Sequence, residues 1–163
     1  MAVPERAAPG QPVSGNVRPA RSGDVEFLVE IDGLVNVSPW NSRQFAAACD
    51  GAVESTESAL VLEHRGRVCG FIIFSSVLDE ACIHNLAVHP ASQGGRFGRS
   101  FVTAALEFME QDGARRCLLE VRESNTAARG LYEALNFQLD GIRKNYYPTS
   151  TGREDARLMS RQL

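Results

Sequence analysis

A chain of 163 residues fits one domain, and 44% hydrophobic with 23% charged residues is too apolar for intrinsic disorder. Seventeen Lys and Arg against twenty Asp and Glu leave a net charge of −3, which does not suit a direct nucleic-acid partner. The most apolar run, Cys69 to Leu78, falls far short of the roughly 20 residues that span a bilayer, and the N-terminus lacks a signal-like apolar core; no membrane partner and a cytoplasmic location are expected.

Residues 1–15, with Pro4, Pro9 and Pro12, read as a flexible tail, and residues 16–163 as one domain. Ser22 is a plausible N-cap for a helix carrying Leu28, Ile31 and Val35, and a second short helix fits Ser42 to Cys49 before Asp50-Gly51. Three β-type runs follow, Leu60–His64, Val68–Phe74 and Cys82–Val88, separated by Arg65-Gly66-Arg67 and Asp79-Glu80, which predicts an antiparallel meander. The third run leads through His89-Pro90 and a loop, Gln93–Gly98, into a helix with Phe101, Val102, Ala105, Leu106 and Met109 on one stripe. Asp112-Gly113 ends it. Cys117–Val121 is a short strand, so strand, helix and strand form a right-handed crossover with the loop at the C-terminal edge of two parallel strands, where ligands bind in such sheets.

Ser124 or Asn125 caps a further helix with Ala128, Leu131, Tyr132 and Leu135, and Asn136 stands where a left-handed C-cap is wanted. Two closing strands, around Phe137–Tyr146 and Ala156–Leu163, flank a polar turn with Pro148 and Gly152. The cysteines, Cys49, Cys69, Cys82 and Cys117, are widely spaced and lack a zinc-like pattern, so buried reduced thiols and no metal are expected.

Chemistry concentrates at three places. The glycine-rich Gln93–Gly98 loop at a helix start directs backbone N–H groups at one point, which suits a phosphate or pyrophosphate, or is a plain tight turn. Its spacing matches neither a P-loop nor the dinucleotide fingerprint. Glu120 lies inside the apolar strand Leu118-Leu119-Glu120-Val121 and is either functional or paired with Arg122 or Arg143 on an edge strand. Tyr132, on an apolar helix face, has an ordinary reading as core.

Asn85-Leu-Ala-Val-His-Pro90, Gln93–Arg99, Leu119–Asn125, Leu131–Phe137 and Arg143-Lys-Asn-Tyr-Tyr-Pro148 together resemble the RimI branch of the GNAT acetyltransferases, which act on ribosomal-protein alanine N-termini. The resemblance runs collinearly over about residues 20–163, and Gly152-Arg-Glu-Asp-Ala156 is specific to that branch. It implies an α/β fold: a splayed mixed β-sheet flanked by helices and opened at its two parallel strands. It also implies acetyl-CoA as acetyl donor, with pantetheine against Leu86, Ala87 and Val88 and pyrophosphate on Gly94, Gly95, Arg96, Phe97, Gly98 and Arg99. By the same resemblance Asn125 contacts the cofactor, Glu120 accepts a proton and Tyr132 donates one to the departing thiolate. Trp40, Tyr146 and Tyr147 fall on the peptide-binding surface; strand aromatics are the bland reading of the tyrosine pair.

Those roles suit the chemistry. A peptide α-amine has a reference pKa near ~8 and a glutamate one of about 4.3, so burial of Glu120 or relay through water must narrow a gap of roughly 5 kcal/mol. Tyrosine at about 10 donates to a thiolate near ~8.5 uphill by only about 2 kcal/mol.

The chain departs from the superfamily loop at Gly95-Arg96, where the glycine and its neighbour are exchanged, from which weaker acetyl-CoA binding is expected. The function implied is transfer of acetyl to the alanine α-amine of the eighteenth small-subunit ribosomal protein, whose N-terminal peptide is the partner. The alternatives are a relative that acetylates lysine or a small amine, and a non-catalytic acetyl-CoA-binding module.

Overall fold

The computed structural model describes residues 15–49, 55–94 and 97–163. All but Gly15 of the expected tail, the Asp50-Gly51 turn, and Gly95 and Arg96 lie outside the described residues. Among those described, seven strands and four α-helices form one mixed sheet with helices on both faces. The strands are β1 (Asn16–Pro19), β2 (Glu57–His64), β3 (Arg67–Val77), β4 (Glu80–Val88), β5 (Arg116–Arg122), β6 (Gln138–Thr149) and β7 (Gly152–Gln162), in the order β1-β2-β3-β4-β5-β7-β6. The helices are α1 (Val25–Val35), α2 (Ser42–Ala48), α3 (Phe97–Gln111) and α4 (Thr126–Ala134).

Two cores sandwich the sheet. On one face Phe71, Ile73 and Ala87 pack against Leu28 and Ile31 of α1 and Phe45 of α2. On the other, Ile72, Phe74, Ile83 and Leu119 pack against Phe101, Val102, Leu106 and Met109 of α3, the stripe expected from helical spacing. Each of these fully buried side chains stabilises the fold by about 1.5–3 kcal/mol relative to exposure.

The meander appears as expected, with longer strands, and β4 and β5 are the parallel pair of the crossover. Asn125, rather than Ser124, caps α4, its Oδ1 accepting from the Ala128 N–H at 3.2 Å. Asn136 takes φ 64°, the left-handed conformation expected of it.

Two expectations are corrected. Ser22 does not cap α1: it opens a 3-10 turn, Ser22–Asp24, and the carboxylate of Asp24 accepts from the Arg21 N–H at 2.8 Å and from Arg18. Pro148 lies within β6 rather than in the turn, which is Ser150-Thr151. The short β1 had no sequence expectation; Arg18 ties it to Asp24 at 2.8 Å and to Glu63 of β2 at 3.0 Å.

Candidate active site

The site begins where the sheet forks. β4 and β5 pair from Glu80↔Arg116 to Ile83↔Leu119 and then separate, although β4 stays on β3 as far as Gly70↔Val88. Beyond Ile83, the edge of β4 that faces β5 has no strand partner among the described residues. A β-bulge drives this bend: Phe74 pairs with Ile83 and Ile73 with Asn85, so His84 is the extra residue. Glu120 is the first residue of β5 past the last parallel pair.

A cleft of about 750 Å³ enters the fork between β4 and α4, with Leu86, Ala87 and Val88 on one wall and Asn125, Ala128 and Leu131 on the other. Gln93, Gly94, Phe97 and Gly98 close its end at the start of α3. Gly94 has φ 82°, where a side chain would be strained, and the Gln93 Nε2 donates to the Val88 carbonyl at 2.9 Å, fixing the loop on β4. The first backbone N–H groups of α3 have no intrahelical acceptor, so they and the helix dipole favour an anion there. Of the loop residues expected to hold pyrophosphate, Phe97 turns its ring into the core against His64, leaving its backbone for the cleft, and Arg99 lies exposed on α3.

A second cavity, about 280 Å³, lies on the α1/α2 side and is lined by Trp40, His84, Asn85, Glu120, Tyr147 and Pro148 among others. Asn36, Val37, Leu86, Arg122 and Asn125 line both cavities, so they meet at the fork. Glu120 keeps 31% of its side-chain exposure and its Oε1 lies 3.0 Å from the Arg143 guanidinium. The pairing with Arg143 is therefore real, although β5 is an interior strand and not an edge, and Glu120 is part-exposed rather than buried. Its charge reaches its neighbours: burial first, then Glu120, pushes both the Cys82 thiol and the Tyr147 hydroxyl up.

Tyr132 is buried in the α3 core with its ring 5.5 Å from Phe137, and burial, then Cys117, pushes its hydroxyl well above the ordinary tyrosine range. It does not line either cavity with the other expected residues. Tyr147 lines the second cavity under the Arg122 guanidinium, 4.5 Å from the ring centroid, whereas Tyr146 is 41% exposed beside it under Arg143.

Two supports escape a reading of hydrophobic pattern. Asp32 of α1 is fully buried; it accepts from the Asn36 side chain, from Asn85 Nδ2 at 3.2 Å and from the Trp40 N–H at 2.7 Å, and so fixes the loop after α1 against β4. In the second, Gly152–Ala156 holds β6. A bulge places Lys144, Asn145 and Tyr146 opposite Asp155 alone, and Asn145 takes φ 50°. Asp155 accepts from the Asn145 N–H and from Lys144 Nζ, both at 2.9 Å, while Arg153 donates to the Asn145 and Tyr146 carbonyls at 2.8 Å. Glu154 accepts from Arg122 and from the Ser124 N–H at 3.0 Å, anchoring the turn that presents Asn125.

The profile of the Acetyltransferase (GNAT) family matches residues 25–137, and the chain belongs to that family. Members of the family use acetyl-CoA. The chain is 36% identical over 137 residues to the ribosomal protein bS18-alanine N-acetyltransferase of Escherichia coli (strain K12), which covers 84% of this chain and 90% of that relative. It is 38% identical over 138 residues to the enzyme of the same name from Haemophilus influenzae, covering 84% and 91%. The crystal structure of the Escherichia coli ribosomal-protein-S18-alanine N-acetyltransferase superposes with TM-score 0.83 at 33% identity, over 92% of this chain and 94% of that one. Arabidopsis thaliana NAA60 in complex with acetyl-CoA shares the fold, with TM-score 0.82 at 16% identity over 92% of this chain and 99% of that one.

Among the described residues no cluster of three or more His, Cys, Asp or Glu is arranged to hold a metal ion, and no helix is long and apolar enough to cross a membrane.

Proposed function

We propose that this chain is an N-terminal acetyltransferase that carries acetyl from acetyl-CoA to the alanine α-amine of ribosomal protein bS18, a cytoplasmic reaction. The observation that carries this reading is the position of Glu120, at the fork where a long anion-ended cleft meets an aromatic-walled cavity. The kinship with enzymes named for that activity supports the choice of acceptor.

The residues present suit acetyl-CoA. The edge of β4 at Leu86–Val88, which no described strand pairs and where the Val88 carbonyl also accepts from Gln93, offers backbone groups to an extended amide-bearing arm, and Gly94, Gly98 and the start of α3 offer N–H groups to phosphates. Asn125 stands where the two cavities join. Bound there, acetyl-CoA supplies a thioester open to attack by an amine. Glu120 draws the acceptor ammonium to the fork and orders its proton toward solvent water. Trp40 and Tyr147 wall the peptide side.

Tyr132 holds its proton firmly because burial raises its pKa. Full transfer to a thiolate therefore costs more than the 2 kcal/mol or so that reference values give, and since Tyr132 lines neither cavity, its hydroxyl must turn toward the cleft when the cofactor binds to hydrogen-bond the charge growing on sulfur.

The test is mass spectrometry of the purified protein incubated with acetyl-CoA and two peptides, one bearing the free bS18 N-terminus and one with it blocked but a lysine available. Acetylation confined to the free N-terminus is expected. Modification confined to the lysine peptide transfers the function to the lysine or small-amine class, and binding of acetyl-CoA without transfer marks a non-catalytic module.

A further inference from the structure

We infer that His84 is the proton acceptor for the substrate amine, working with Glu120 across the fork; this rests on the reading of the site as an amine acetyltransferase.

The bulge puts it there. Strand side chains alternate faces, but the extra residue in β4 lets two neighbours project on the same side. Asn85 is paired with Ile73 and bonds Asp32 on the α1 side, and His84 Nε2 lies 2.7 Å from Ser75 Oγ, on a residue of β3 two positions from Ile73. Both therefore face the acceptor cavity, which both line. Across the fork, Ile83↔Leu119 is the last parallel pair, so His84 and Glu120 occupy the next register position on strands that lie about 4.8 Å apart where paired. Without the bulge one of the two β4 side chains would point into the opposite core.

The chemistry needs a second group. Glu120 is ion-paired with Arg143 at 3.0 Å, which suits attraction of an ammonium better than capture of its proton. On reference values, passing a proton from an α-amine to a carboxylate is unfavourable by about 5,000-fold, and to an imidazole by only about 30-fold. In the step, an N–H bond of the ammonium breaks and its proton passes through one solvent water at Glu120 to His84 Nδ1. The amine keeps the bonding pair for attack. The 2.7 Å contact of Nε2 with Ser75 Oγ suits either imidazole tautomer; in the one that serves this step Nε2–H donates to the hydroxyl, so that Nδ1 is the acceptor, and the exposed ring then returns the proton to bulk water.

The charged and titratable groups around His84 are Glu120 and Arg122 on β5, Arg143 and Tyr147 on β6, Cys82 on its own strand, Asp32 behind Asn85, and Glu57, opposite Ser75 on β2. Of these, Glu120 is the carboxylate that lines the cavity, and Arg143 holds it in an ion pair at 3.0 Å.

The experiment is the pH profile of kcat/KM for wild type, His84→Phe and His84→Gln with an alanine-starting peptide, alongside acetyl-CoA affinity. At about pH 7 His84→Phe is expected to lose roughly 30-fold or more, a modest general-base effect. The loss shrinks to within about threefold near pH 9.5, where an amine of pKa about 8 is already deprotonated. Acetyl-CoA affinity stays within about twofold. A loss of equal size at every pH, or no loss, overturns the inference. Should His84→Phe fail to bind acetyl-CoA, His84→Gln, which keeps a partner for Ser75, decides by the same comparison. Absence of transfer by wild type rejects the reading of the site itself, whereas wild-type transfer without the pH-dependent defect rejects the role of His84 alone.

Discussion

Asp32 shows how much of the site hangs on single polar contacts. It is fully buried and accepts from the Asn36 side chain, from Asn85 Nδ2 and from the Trp40 N–H, while Asn36 Nδ2 also reaches Asn85 Oδ1 at 3.0 Å. Asp32→Ala strips the Asn85 Nδ2 and the Trp40 N–H of their acceptor and is expected to destabilise the fold by about 2–4 kcal/mol, read by denaturant unfolding, and to raise the peptide KM more than the acetyl-CoA Kd. Glu120→Gln keeps shape and loses the charge; kcat is expected to fall about 10²-fold at neutral pH with acetyl-CoA affinity unchanged, as measured by initial rates and calorimetry. Tyr132→Phe removes the hydroxyl while preserving the packing against Phe137, and a fall in kcat of about 10-fold is expected from initial rates. The place of Glu120 was legible in the sequence because a charge inside an apolar strand stands out. His84, Asn85 and Asp32 were not, since a bulge inserts a residue without altering the apolar run around it, and a buried aspartate on a helix has the spacing of an exposed one.

The elements divide by how strongly local chemistry specifies them. The stripe of α3, the N-cap of α4 and the left-handed Asn136 follow from spacing and side-chain type, and the crossover fixes β4 beside β5. β1 is too short and too polar to register, and it exists because Arg18 finds Asp24 and Glu63. The β6–β7 hairpin is set by long-range pairing, in which Arg153 and Asp155 hold the bulge at Asn145. Asp155→Ala frees that bulge, and the peptide KM is expected to rise severalfold with kcat little changed, since Tyr146 and Tyr147 lose their seat while Glu120 stays on β5. The Asn145 N–H and then Lys144 hold the Asp155 carboxyl below the usual range, and Ser124 with Arg122 does the same for Glu154. A carboxyl lowered by folding stabilises fully above its unfolded value near ~4 and ceases to do so as pH falls through the folded value. Thermal unfolding from pH 7 down to pH 3 is expected to show Tm falling below about pH 4, with a shallower fall in the Asp155→Asn, Glu154→Gln double variant.

For the whole molecule, the decisive feature is that one sheet is continuous at β3–β4 and open at β4–β5, so a cleft from the α3/α4 side reaches a cavity on the α1/α2 side. The sequence announces the parallel pair and the loop at its end, but not the depth of the opening, because the separation of two strands is decided by packing on both faces rather than by either strand. The exchange at Gly95-Arg96 lies outside the described residues. The most direct measurement is the Kd of a conjugate in which an alanine-starting peptide is joined through its α-amine to CoA by an acetyl bridge, set against that of acetyl-CoA. Two cavities that meet at Glu120 hold both halves at once, so the conjugate is expected to bind at least about 10²-fold tighter than acetyl-CoA, with the advantage lost on capping the cavity by Asn85→Trp. A conjugate that binds no tighter than acetyl-CoA contradicts the claim that donor and acceptor meet at the fork.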